Sequence, residues 1–82
     1  MNAVVPAAEL AERARTMVTA MIANAPLALA LTVETVNAGY DLPLDEALRF
    51  EATAFGLSAA TEDMREGTRA FLEKRAARFT GR

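Results

Sequence analysis

The chain has 82 residues, of which 52% are hydrophobic, and a formal net charge of −2 at pH 7, with neither Cys nor His. The missing Cys excludes a disulfide framework and thiolate metal sites, and the missing His removes the commonest general base and metal ligand. A domain of this size buries only about 60% of its unfolded surface, so we expect oligomerisation to complete it. The amino end lacks the basic segment and apolar core of a signal peptide, which predicts a cytoplasmic location.

An extended start and a first helix are predicted at the amino end. Val4 and Val5 favour extended geometry, and Pro6 disfavours a helical conformation in the residue before it. From Ala7 to about Ala23, apolar side chains recur at three- and four-residue spacing with charged side chains between them. This pattern predicts an amphipathic helix.

The second helix is predicted from about Pro26 to Ala38. Asn24 is a candidate N-cap, Pro26 suits a first turn, and Gly39 suits a left-handed residue just beyond the helix. This helix is apolar on most sides, so its neighbours must cover it. Its short connection to the first helix predicts that the two run antiparallel. The interrupted apolar run from Met17 to Val33 does not predict a membrane span.

The third and fourth helices are predicted on either side of a break at Gly56–Thr61. Pro43 suits the first turn of the third helix, which carries two apolar stripes and therefore needs two packing partners. Thr61 is predicted to cap the fourth helix, and Lys74 and Arg75 close it with the charge that a helix C-terminus favours. We expect these two helices to pair across the break.

Charge is divided unevenly along the chain. Residues 1–64 carry three Arg and nine acidic residues, whereas residues 65–82 carry six basic and two acidic residues. The basic end has the charge to approach phosphates, although a solvated helix face that complements the dipole is the simpler interpretation. The acidity of the whole chain, with Phe79 as the single aromatic among the terminal basic residues, predicts no nucleic-acid partner.

No catalytic constellation is visible in the residues alone. The acidic pairs Asp45/Glu46 and Glu62/Asp63 occupy predicted first turns, where a dipole role is sufficient. Ser58 has no neighbouring base in the sequence to activate it, and the glycines are isolated instead of grouped in a phosphate-binding loop. No spacing indicates a metal site. The chain alone is therefore predicted to be inactive as an enzyme.

Several runs of sequence resemble one family. They are VVP at 4–6, NAPLA at 24–28, ETVNAG at 34–39, ATED at 60–63, REG at 65–67, AFLEKR at 70–75 and RFTGR at 78–82. Through these runs the chain resembles the carboxyl end of the crotonase (enoyl-CoA hydratase/isomerase) family. The resemblance covers nearly the whole chain but only the last third of such an enzyme.

The resemblance implies an all-α fold of about four helices, completed by oligomerisation. Residues 1–82 would be a C-terminal helical domain that packs subunits and caps the CoA site, with the catalytic core absent and acyl-CoA as substrate, not cofactor, of the parent enzyme. In the intact enzyme, Phe55 and Phe71 would line the acyl pocket and Lys74 would contact the CoA phosphates. In the isolated chain, we expect both Phe side chains to be buried by packing instead.

The sequence departs from the family at two places. Val33 stands where relatives often carry Lys, and Ala76-Ala77 replace a Lys-Pro or Pro-Pro pair. Because Ala favours helix, we expect the fourth helix to have room to extend further.

Two other functions stay open. One is a free-standing helical oligomerisation module, which would hide its apolar faces against symmetry mates. The other is a minimal acyl-CoA binder, which needs a concave pocket with converging polar groups. The resemblance also leaves open whether the parent enzyme hydrates, isomerises or hydrolyses its thioester.

Overall fold

The computed structural model describes residues 1–82, and it is all-α. A short 3-10 turn at Ala7–Glu9 leads into α1 (Leu10–Ile22), which is followed by α2 (Pro26–Gly39), α3 (Leu44–Ala59) and α4 (Glu62–Leu72). The predicted four-helix, all-α architecture is confirmed.

The two predicted N-caps have different outcomes. Thr61 is an N-cap, because its Oγ1 accepts a hydrogen bond from the Met64 backbone N–H at 3.1 Å. Asn24 is not, since α2 begins after Ala25. The Asn24 amide instead donates to the carbonyls of Ala20 and Met21, at 3.2 and 3.0 Å. The carbonyls at the end of α1 therefore attract this side chain more than the start of α2 does.

The helices pair differently from the prediction. The main packing contact is between α2 and α3, whereas α3 and α4 touch to a much smaller extent. The predicted antiparallel pairing of α1 and α2 is wrong, because the chain bends by 107° between them. The cause lies in Ala25, which is extended (φ −60°, ψ 123°) as expected for a residue that precedes Pro.

The ends of α2 and α4 also differ from expectation. Gly39 is the last residue of α2, not a left-handed residue beyond it, and a Cβ there would lie 3.7 Å from that of Ala47 on α3. The left-handed position is found after α4, at Lys74 (φ 52°). The predicted extension of the fourth helix through Ala76-Ala77 is wrong, because the chain turns at Lys74.

The helices enclose almost no core. Only Ala54, Asp63 and Ala70 are buried among the 82 residues. The radius of gyration is 15.9 Å, against about 12 Å for a compact domain of this length. The accessible surface is 6928 Å², whereas a compact monomer of this mass exposes roughly 4,800 Å². The chain thus presents an additional surface of roughly 2,000 Å² by the same scaling.

No single helix has the length and hydropathy that crossing a membrane requires. Only Ala7–Ile22 and Pro26–Gly39 taken together reach both, across their 107° bend.

Candidate functional site

The exposed surface includes large hydrophobic side chains on all four helices. Large hydrophobic side chains are more than one-third exposed on each of them. They include Leu10, Val18, Met21 and Ile22 on α1, Leu27, Val33 and Val36 on α2, Leu44, Leu48, Phe55 and Leu57 on α3, and Met64, Phe71 and Leu72 on α4. A monomer rarely exposes so much apolar area, so these faces are candidates for binding another protein surface.

Phe55 and Phe71 are both exposed. The exposed fraction is 75% for Phe55 on α3 and 83% for Phe71 at the end of α4. The prediction that packing within the isolated chain would bury them is therefore wrong. Ala54, the neighbour of Phe55 on α3, is the residue that is buried where α2 and α3 pack. Phe55 borders a groove of about 230 Å³ between those two helices.

Lys74 lies in the turn that ends α4. Its backbone N–H donates to the Phe71 carbonyl at 3.2 Å, and the Arg75 N–H donates to the Ala70 carbonyl at 3.0 Å. With Lys74 left-handed, these two bonds form a Schellman motif. The Lys74 side chain is exposed and takes part in no ion pair. The structure thus joins Lys74 to Phe71 through the backbone, while Phe55 lies on a different helix.

A second cluster, around Asp63, was not predicted from the sequence. The Asp63 side chain is only 2% exposed, and its carboxylate accepts the backbone N–H groups of Thr80 and Gly81, both at 2.7 Å. The Thr80 hydroxyl adds a longer bond of 3.3 Å. Hydrogen bonding by the Thr80 N–H lowers the pKa of Asp63 and outweighs the effect of burial, which raises it. First-turn position was the only visible signal, and it indicates a dipole role alone.

Glu66 and Arg75 form the centre of an ion-pair network. The Arg75 guanidinium donates two bonds to the Glu66 carboxylate, at 2.7 and 3.0 Å, and one to Glu73 at 2.6 Å. Glu66 also accepts the Arg78 N–H at 2.9 Å. Arg75 above all, and then Arg78, lower the pKa of Glu66 to about 2, and the two carboxylates raise the pKa of Arg75. Glu66 is thus a poor general base at neutral pH, since it holds its charge too firmly.

The carboxylates of the chain are dispersed. No group of three or more Asp or Glu side chains lies close enough together to hold a metal ion.

Comparison with known proteins identifies the family. The sequence profile of the enoyl-CoA hydratase/isomerase family matches residues 1–82. The chain belongs to the enoyl-CoA hydratase/isomerase family. A short-chain-enoyl-CoA hydratase from Clostridium acetobutylicum is 39% identical over 75 residues, which are 92% of this chain and 29% of that protein.

Solved enoyl-CoA hydratase structures contain the same arrangement of helices. One from Geobacillus kaustophilus matches with a TM-score of 0.91 at 41% identity, over 100% of this chain and 32% of that one. One from Bacillus anthracis matches with a TM-score of 0.92 at 33% identity, over 96% of this chain and 31% of that one. The chain therefore spans about a third of the length of the enoyl-CoA hydratases that it matches.

Proposed function

We propose that this chain is the C-terminal helical region of an enoyl-CoA hydratase/isomerase-type enzyme that acts on acyl-CoA thioesters. Within that enzyme the helices pack subunits together and cap the CoA site, and they supply no catalytic group. One observation carries the proposal: helices that match enoyl-CoA hydratases over a third of their length leave roughly 2,000 Å² of extra surface uncovered. A catalytic core and neighbouring subunits are the natural cover for such a surface.

The side chains are suited to this division of labour. Asp63 and Glu66 are engaged by backbone N–H groups and Arg75, so neither is free to move protons. Phe55 and Phe71 present apolar rings outward, as groups that complete an acyl pocket would. Lys74 offers an unpaired ammonium group, which suits contact with a CoA phosphate but is weak without further partners.

A chimeric enzyme tests this function. The matched 75-residue segment of the Clostridium acetobutylicum hydratase is replaced by this chain, and hydration of a short enoyl-CoA is measured beside the 82-residue chain alone. We expect activity from the chimera and none from the chain alone. Lys74→Glu in the chimera should raise KM roughly tenfold with little change in kcat, because it replaces attraction to a phosphate by repulsion.

The control is Arg13→Glu on α1, which makes the same change of charge at an exposed position outside the proposed CoA contact and should leave KM unchanged. A chimera that folds and assembles but does not hydrate its substrate would contradict the proposed function. Equal KM values for Lys74→Glu and the parent chimera would remove Lys74 from the CoA site.

The exposed surface also supports a second function, that of a free-standing oligomerisation module. Roughly 2,000 Å² hidden on each copy would give an interface of the size found in obligate oligomers. Such a module keeps a discrete oligomeric mass on dilution and does not restore activity to the chimera. A C-terminal region of the enzyme, by contrast, restores activity to the chimera whether the isolated 82-residue chain is a monomer or an oligomer.

A further inference from the structure

The last residues of the chain fold back over the first turn of α4. Asp63 accepts the Thr80 and Gly81 backbone N–H groups, and its own N–H donates to the Arg82 carbonyl at 2.8 Å. The first N–H groups of a helix have no partner inside it. The tail therefore provides an acceptor for one free N–H of α4, and the Asp63 side chain of α4 provides acceptors for two N–H groups of the tail.

The tail is held at further points along the same helix. Glu66 accepts the Arg78 N–H at 2.9 Å, one turn beyond Asp63. The Phe79 ring lies against Gly67, where a Cβ would be only 3.4 Å from the ring. Three consecutive contacts thus fix the tail along α4.

The tail also reaches α2. Gly81 is left-handed (φ 79°), and a Cβ on it would lie 3.8 Å from Cγ of Pro26, the first residue of α2. Because α4 makes only limited contact with α3, the tail is a principal link between α4 and the start of α2.

We propose that residues 76–82 act as a latch, which holds α4 against the start of α2. Asp63 is the residue that anchors the latch to α4. Opening the latch frees the tail from α4 and from Pro26 while the α2–α3 pair stays intact. The inference goes beyond the proposed function and does not depend on it, because every contact involved lies within this chain.

The charges around Asp63 favour the closed latch at neutral pH. The groove beneath the tail is lined by the charged side chains of Glu62, Glu66, Arg75 and Arg78 beside Asp63, and Arg69 lies close enough to help lower the pKa of Glu66. No charged side chain of α2 or α3 lines this groove. The pKa values of Asp63 and Glu66 are depressed in the folded chain, so acid favours the open form.

Amide hydrogen exchange measured by NMR tests the latch on the full 82-residue chain. Asp63→Asn leaves one acceptor oxygen in place of two and turns an amide NH₂ toward the tail. We expect the Thr80 and Gly81 amides to exchange roughly tenfold faster or more, in keeping with the loss of a charge-assisted bond. The NOE between the Pro26 ring and Gly81 should disappear, and exchange in α2 and α3 should not change.

The matched control is Glu62→Gln, which removes the same charge from the same helical turn at a side chain that makes no bond to the tail. Equal exchange at Thr80 and Gly81 in the two variants would overturn the proposal. If Asp63→Asn fails to fold, an acid titration of the wild-type chain provides a second test. In an acid titration, tail signals that shift before those of α2 and α3 support a latch, whereas collapse of all signals at one pH overturns it.

Discussion

Arg75 and Glu66 meet through two parallel hydrogen bonds, at 2.7 and 3.0 Å, although nine positions separate them in sequence. The pair closes the turn that follows α4, and the same Glu66 carboxylate receives the Arg78 N–H. A planar guanidinium matches the two oxygens of a carboxylate, whereas an ammonium group offers only a point charge. The geometry of this turn therefore depends on Arg itself and not on positive charge alone.

Arg75→Lys should loosen the tail where it leaves α4. We expect the Arg78 amide to exchange roughly threefold to tenfold faster, because Lys cannot hold both Glu66 oxygens in place. Amide exchange by NMR measures the change. Arg69→Lys is the control, because the Arg69 side chain lies on α4 and makes no hydrogen bond, and this variant should have no effect. Unchanged exchange in Arg75→Lys would show that charge alone is sufficient.

The pKa of Glu66 should respond strongly to Arg75. The folded value is about 2 against a usual 4.5, so the contribution of Glu66 to stability is complete above about pH 4.5 and is lost as the pH falls toward 2. Arg75→Met removes the largest cause of the shift and should raise the midpoint toward 4.5. Side-chain carboxyl shifts followed by NMR give both midpoints. A midpoint that stays near 2 in the variant would assign the shift to Arg78 instead.

How much of this fold follows from the sequence depends on the range of the interaction. The four helices follow from the local periodicity of apolar residues. The Thr61 cap follows from a hydroxyl that lies three residues before the backbone N–H of Met64, which donates to it. The hydrogen bond that the Gly81 N–H donates to Asp63 spans eighteen positions, and no local sequence pattern predicts it. The N-cap prediction for Asn24 is wrong because this side chain lies between the ends of two helices, and its amide NH₂ donates to carbonyls of α1.

The candidate site shows the same limit. The exposure of Phe55 on α3 and Phe71 on α4 could not be derived from the sequence, because an apolar helix face indicates a need for cover and does not say which chain provides it.

Removing the Thr61 cap should destabilise α4. Thr61→Ala leaves the Met64 N–H without its partner and is expected to lower the free energy of unfolding by about 1 kcal/mol. Urea denaturation followed by circular dichroism measures the loss. Thr53→Ala is the control, since the Thr53 hydroxyl only bonds back to the Arg49 carbonyl within α3, which contributes little. Equal losses in the two variants would deny Thr61 a special role.

The backbone at Lys74 is strained because it is left-handed, so Lys74→Gly should stabilise the chain. A residue with a Cβ is about 1 kcal/mol less stable than Gly in the left-handed region. Lys74→Ala keeps the Cβ and removes the rest of the side chain together with its charge, and it should give no such gain. The same urea denaturation compares the two. If Ala stabilised the chain as much as Gly does, removal of the charged side chain and not relief of the left-handed φ would be responsible.

The exposed face of α2 should make the 82-residue chain self-associate. Val36 lies between two grooves on the α2–α3 pair and is 56% exposed. If this face is covered by another copy, light scattering over a range of concentrations gives a discrete mass above 8.8 kDa. Val36→Asp should then return the mass toward that of the monomer, because a buried unpaired carboxylate is strongly unfavourable. Asn37→Asp adds the same charge one position away and should leave the mass unchanged. A wild-type chain that is monomeric at every concentration would mean that only a different polypeptide surface covers α2.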